Sequence, residues 1–310
     1  MRRSALALAA ALAAAFALGG CGGGGSTPAD APKETSGQFP VTVKAPVGEV
    51  TVPERPTKIV SLSPTATEML FGIDAGRQVA ATDELSNFPQ NAPRTKLSGF
   101  KPNADAIAGY DPDLVVLSYD ANDVVASLRK LKIPVYLAPA ATTLDDSYRQ
   151  ITDLGTLTGN TESAADLVAR MKADIEKLTR DLPKRTEPLT YYYELDPQLH
   201  SVTSKTFIGS VFTLAGLQNI ADKADKDGTG YPKLAAEYVI DTDPDLVFLA
   251  DTKCCGQSPA TVAKRPGWDK LSAVRGNGVH ALDDDVASRW GPRVVDLLKI
   301  AVDAAASAKP

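Results

Sequence analysis

Short runs of branched and aliphatic residues alternate with stretches of helical period along most of this chain. KIVSL (58–62), Gln78–Thr82, LVVLS (114–118) and PVYLA (134–138) are compact apolar runs, the pattern of strands buried on both faces. Ser63-Pro64-Thr65 behind the first run predicts a capped helix through Leu70, with Gly72 near its end. A helix near 122–131 separates the last two runs. A small hairpin is predicted from 41–43 and 50–52 around Gly48. The alternation restarts after Pro188, with strands at 189–195, 246–250 and 279–282. Helices are predicted near 207–215 and from about Pro292 to 306. Strands alternating with helices predict βαβ units and a mainly parallel sheet, hence an α/β fold.

Residues 160–182 break the rhythm. Asn160-Thr161-Glu162 opens a helix that runs without Gly or Pro until Pro183. Its apolar positions, Ala164, Leu167, Val168, Met171, Ile175 and Leu178, recur at helical spacing. Such a helix spans about 30 Å. That is longer than a crossover helix needs, so it reads either as an ordinary surface helix or as a rigid strut between two lobes.

The flanks of that helix share a pattern. DPDLVVL at 111–117 returns as DPDLVFL at 243–249. An acid, Asp105 or Glu237, stands six residues ahead of each copy. Asp-Pro before a strand is common turn chemistry, but the matched acid and the near-identical strand point to two related lobes. One carboxylate per lobe could grip a partner of two subunits.

The N-terminus predicts export. Arg2 and Arg3 precede an uncharged, mostly apolar stretch, 4–18, too short to span a bilayer, and then Leu18-Gly19-Gly20-Cys21. Residues 1–20 read as a signal peptide. Cys21 is the expected lipidation site, with an uncleaved anchor or an ordinary signal peptide as the alternatives. The Gly/Ser-rich stretch within 21–38 reads as a flexible tether. A net charge of −5, without a basic run, gives no sign of nucleic-acid binding. Hydrophobic (44%) and charged (23%) fractions are those of a soluble domain held to a membrane only by its end.

Together, IVSLSPTATEMLFGI (59–73), SGFKPNADAIAGYDPDLVVL (98–117), the helix at 160–182, GYPKLAAEYVIDTDPDLVFL (230–249) and SRWGPRVVDLL (288–298) resemble class III substrate-binding proteins of ABC transporters. Members of that class bind cobalamin, ferric siderophores or haem, and the likeness is closest to the vitamin B12-binding members. The resemblance implies two Rossmann-like α/β lobes (39–159 and 184–310), joined by the single long helix (160–183), with the ligand between them. It implies a monomer that docks on a permease dimer, with its ATPase subunits, through Asp105 and Glu237. The family usually has Glu at both places. It places Phe88, Phe100, Tyr231, Asp285, Arg289 and Trp290 at the ligand, which would be cobalamin or, as the alternative, a ferric siderophore or haem. Tyr231 stands where B12-binding relatives often carry Trp. No cofactor, catalytic residue or metal site is implied.

Cys254 and Cys255 follow the 246–250 strand on its carboxyl side. Vicinal disulfide, free thiols and soft-metal ligands all stay open for them. The two histidines, His200 and His280, are too few for a zinc site of the usual three or four ligands. No Gly-x-Ser-x-Gly elbow marks a hydrolase. An enzyme, or a tethered adhesion scaffold, remains the reading from another class.

Overall fold

The structure, a computed structural model, describes residues 38–182 and 185–308. The signal sequence, Cys21, nearly all of the tether and Pro183 lie outside the described residues. A hairpin, β1 (Val41–Ala45) and β2 (Gly48–Val52), leads into the first lobe. There β3 (Ile59–Leu62), α1 (Pro64–Gly72), β4 (Val79–Asp83), β5 (Arg94–Leu97), α2 (Ala104–Ala108), β6 (Leu114–Leu117), α3 (Val124–Lys130), β7 (Val135–Leu137) and α4 (Leu144–Thr158) follow in turn. The sheet order is β5-β4-β3-β6-β7, all parallel. Every side chain of β3 and β6 is buried, which is why those strands read as unbroken apolar runs. Ser63 caps α1 by accepting from the Ala66 amide, with Pro64 in the first turn.

The long helix α5 (Thr161–Arg180) comes next. The second lobe holds β8 (Thr190–Glu194), α6 (Phe207–Leu214), β9 (Gln218–Asn219), α7 (Ala236–Thr242), β10 (Leu246–Leu249), α8 (Thr252–Cys255), α9 (Pro259–Val262), α10 (Ser272–Arg275), β11 (Val279–Ala281), α11 (Asp284–Ala287) and α12 (Val294–Ser307). Its parallel sheet has the order β11-β10-β8-β9. The fold is therefore α/β with two parallel sheets, one on each side of α5 in the sequence. The last helix starts at Val294 rather than at Pro292.

Helix α5 does not stand alone. Ala164, Leu167 and Met171 are buried, and Val168, Ile175 and Leu178 pack on the same core. That core takes Ile59, Leu114 and Val116 from the first sheet, Tyr191, Tyr193 and Phe248 from the second, and Leu297, Leu298 and Ala301 from α12. Two smaller clusters fill the far faces of the two sheets. The α4–α5 pair closes tightly because a Cβ on Gly155 would collide with that of Ala164. Apolar contact thus runs unbroken from one lobe through the helix layer into the other.

The repeat has a structural meaning. The Asp113 carboxylate accepts from the Thr57 and Lys58 amides, just ahead of β3. The Asp245 carboxylate accepts from the Thr190 amide at the start of β8. In each lobe the second Asp of the Asp-Pro-Asp motif clamps the start of the neighbouring parallel strand. The register places Ile59 opposite Leu114, and Tyr191 opposite Leu246. The first Asp of each motif, Asp111 or Asp243, turns the chain at positive φ (52° and 45°). Asp tolerates that conformation better than most residues.

Candidate ligand cleft

In open parallel sheets, ligands bind beyond the carboxyl ends of the strands. Those ends carry exposed apolar side chains here. Leu85 and Phe88 follow β4, Phe100 follows β5, and Tyr119 lies two residues past β6. Phe100, Tyr119 and Tyr231 are 70%, 62% and 53% exposed, although each is large enough to sit in a core. Gly99 sets up Phe100: a Cβ there would lie 2.7 Å from both the Asp83 carboxylate and the Leu62 carbonyl oxygen, so only glycine lets the loop approach. Tyr231 is held out by a loop stitched to the segment that leaves β8. Thr203 and Ser201 donate to the carbonyls of Gly230 and Pro232 at 2.8 and 2.9 Å.

Arg289, Trp290 and Asp285 are placed differently. Arg289 is buried. It donates to Glu68 Oε1 of α1 (2.7 Å), to the Leu85 carbonyl and Asn87 Oδ1, and to Asp285 Oδ1 (2.6 Å). Arg293 joins the same Glu68 through two bonds, of 2.9 and 2.6 Å, and lies over the Phe88 ring at 4.4 Å. Trp290 donates from Nε1 to Gln150 of α4. Asn87 Nδ2 reaches Asp285 Oδ2 at 2.9 Å. These residues tie the 285–293 segment to the first lobe. Arg289 and Trp290, expected as ligand contacts, have their polar groups engaged across the lobes, and Asp285 shares that network from a more exposed position. The network is buried at Glu68 and Arg289 and reaches the surface at Asp285 and Asn87. Burial pushes the Asp285 carboxyl up, but bonds from Lys253 and Asn87 and the charge of Arg289 hold it below the ordinary range. Sequence reasoning missed Glu68, Asn87, Leu85 and Tyr119. The last two carried a usable signal, a bulky apolar residue just past a buried strand.

The second lobe has its own buried acids. Glu194 ends β8 and takes two 2.6 Å bonds from Arg265. Asp251, just past β10, is also buried, and neither of its carboxylate oxygens has a hydrogen-bond donor. Burial, followed by the charge of Glu194, pushes Asp251 up to about 7. The folded chain then keeps a proton that the unfolded chain gives up near pH 4, so the contribution of Asp251 to stability falls as pH rises through that window and is lost by about 7. Asp251→Asn, which mimics the protonated acid, should flatten that decline. Thermal melts at pH 5 and pH 8 should differ less in the variant than in the parent; equal pH dependence would disprove the assignment.

Beside Asp251, Cys254 and Cys255 are joined as a vicinal disulfide at the end of α8, exposed to solvent. The Asp284 carboxylate accepts from the amides of Thr252, Lys253 and Cys254 and fixes this turn. Asp105 and Glu237 are exposed in the first turns of α2 and α7. A helix that returns the chain to a parallel strand runs against it, so both first turns lie toward the cleft end of their sheets. Among the described residues no helix is long and apolar enough to cross a membrane, and no cluster of three or more His, Cys, Asp or Glu side chains forms a metal site.

Two parallel-sheet lobes, tied through one core and bonded to each other through Glu68, Asn87, Asp285 and Arg289, give the architecture of a two-lobed binding protein. The chain belongs to the periplasmic binding protein family, whose model matches residues 59–286. It is 27% identical over 307 residues to an uncharacterised ABC transporter substrate-binding lipoprotein of Bacillus subtilis, covering 96% of this chain and 95% of that one. A cobalamin-binding protein of Halobacterium salinarum is 30% identical over 279 residues, with 86% and 74% covered. The crystal structure of a possible iron-binding, periplasmic solute-binding protein from Staphylococcus epidermidis superposes with a TM-score of 0.70 at 24% identity, covering 81% of this chain and 99% of that one.

Proposed function

We propose that this protein captures cobalamin or a related corrinoid between its lobes and hands it on unchanged. It is a substrate-binding protein of an ABC importer of the B12, siderophore or haem type, a class that works with permease and ATPase components. The observation that carries the corrinoid reading is the row Leu85, Phe88, Phe100, Tyr119 and Tyr231 at the carboxyl ends of the strands. A corrin offers broad apolar faces rimmed by neutral amides, which suit aromatic walls with few charges. Arg289 and Arg293 favour this choice, because both are already neutralised by Glu68 and Asp285 and are poorly placed to clamp an anionic chelate. The cobalamin-binding relative from Halobacterium supports it. The second reading, haem or a ferric siderophore, draws on the exposed Tyr119 and Tyr231, whose phenols could ligate iron, and on the structural neighbour described as a possible iron-binding protein.

Calorimetric titration with cyanocobalamin, run beside haem and a ferric siderophore, decides between the two. The expected result is tight one-to-one binding of cyanocobalamin, released with unchanged mass. Binding of the iron compounds alone would replace the ligand and keep the transport class. Phe100→Ala and Tyr231→Ala should each cost about 2 kcal/mol, near 30-fold in Kd, as buried aromatic anchors do. Wild-type affinity in both variants would remove the rim from the site.

A further inference from the structure

The vicinal disulfide sits two links from the contact between the lobes. Lys253, next to Cys254, places its ammonium 2.8 Å from Asp283 Oδ1 and 2.7 Å from Asp285 Oδ2. The same Asp285 Oδ2 accepts from Asn87 of the first lobe, and Oδ1 accepts from Arg289, which Glu68 of α1 holds. Lys253, Asn87 and Arg289 together orient one carboxylate. The turn that aims Lys253 is fixed at one end by Asp284 and at the other by the Cys254–Cys255 ring and Gly256 at positive φ. Both cysteines face solvent, where a reagent can reach the sulfurs.

We propose that Cys254 and Cys255 form a thiol–disulfide exchange site that sets the strength of the Asn87–Asp285 latch between the lobes. The reactant is a solvent-borne dithiol. Its thiolate attacks one sulfur of the pair and forms a mixed disulfide, which its second thiol then resolves. The reagent leaves as its own disulfide, having given up two electrons and two protons. Cys254 and Cys255 become two thiols. Opening the ring restores rotation about the 254–255 backbone and leaves Asp284 as the one remaining clamp on the turn that carries Lys253, so the hold of Lys253 on Asp285 weakens. With one of its three orienting donors weakened, the carboxylate holds Asn87 less firmly, the latch loosens, and the lobes grip a ligand less firmly. The effect on ligand rests on the receptor reading above; the effect on the latch does not.

Amide hydrogen exchange on the intact protein, oxidised and after treatment with dithiothreitol, tests the latch without a ligand. Reduction should speed exchange at least about threefold at 283–289 and also at 85–89 in the other lobe, since local opening is what exchange reads. Cys254→Ser/Cys255→Ser should behave as the reduced protein and ignore the dithiol. In parallel, the Kd for cyanocobalamin should rise severalfold on reduction. Acceleration confined to 252–256, no acceleration at all, a double variant that still responds, or two free thiols in the protein as isolated would each overturn the proposal. Failure of cyanocobalamin, haem and ferric siderophore alike to bind would refute the ligand reading, and the exchange result would still decide the latch.

Discussion

Glu68→Gln lowers the melting temperature by about 6–20 °C, the largest stability effect expected of any single change near the cleft. The Glu68 side chain is 1% exposed and faces two guanidiniums, with Arg289 7% and Arg293 18% exposed. Removing the shared counter-charge leaves Arg293 without its ion-pair partner and Arg289 with Asp285 alone. Truncating one side of a buried pair costs about 3–5 kcal/mol, because the remaining charge keeps its desolvation penalty. For a domain of this size each kcal/mol is worth about 2–4 °C. The direct readout is a thermal melt. Glu68→Gln combined with Arg293→Met should recover part of the loss, since the second change removes a stranded charge. A fall below 2 °C in the single variant would mean that water already solvates the cluster. The same network ties the lobes, so the variant should also bind ligand more weakly.

Much of the frame was legible because burial on both faces writes itself as unbroken apolar runs. Ile59–Leu62, Leu114–Leu117 and Leu246–Leu249 stood out for that reason. The Asp-Pro-Asp repeat was legible too, and Asp113 and Asp245 show its physical basis, a carboxylate clamping the next strand. Strand β5, RTKL, was not, because it is an edge strand with no fully buried position. The cleft was harder. Phe100 and Tyr231 could be placed because they flank recognisable motifs, and the structure leaves both exposed. Arg289 and Trp290 lie in an equally clear motif, yet their polar groups bond across the lobes. The partners that divert them, Glu68 and Gln150, stand more than a hundred residues away in the chain, and no local pattern announces such a pairing.

Glu237→Lys should bring ligand uptake in cells to background while leaving the Kd for ligand within about twofold, because an exposed rim charge acts on docking to a charged partner more than on a neutral ligand. Glu237 is exposed in the first turn of α7, so the structural cost is the loss of a favourable charge at a helix N-terminus, about 0.3–1 kcal/mol. Its proposed role is to meet a cationic socket on one permease subunit, while Asp105 on α2 meets the equivalent socket on the other. Reversing the charge sets like against like, which costs several kcal/mol and lowers docking at least about 100-fold. Asp105→Lys should do the same, because a two-point grip fails when either point is repelled. Asp105→Glu is the informative control. Aspartate is one methylene shorter than Glu237, so lengthening it should keep uptake or raise it if both sockets are alike. A drop in affinity equal to the drop in uptake would place Glu237 at the ligand rather than at the permease. Full uptake in Glu237→Lys would move the docking surface elsewhere, leaving the matched acids as helix-start residues of two related lobes.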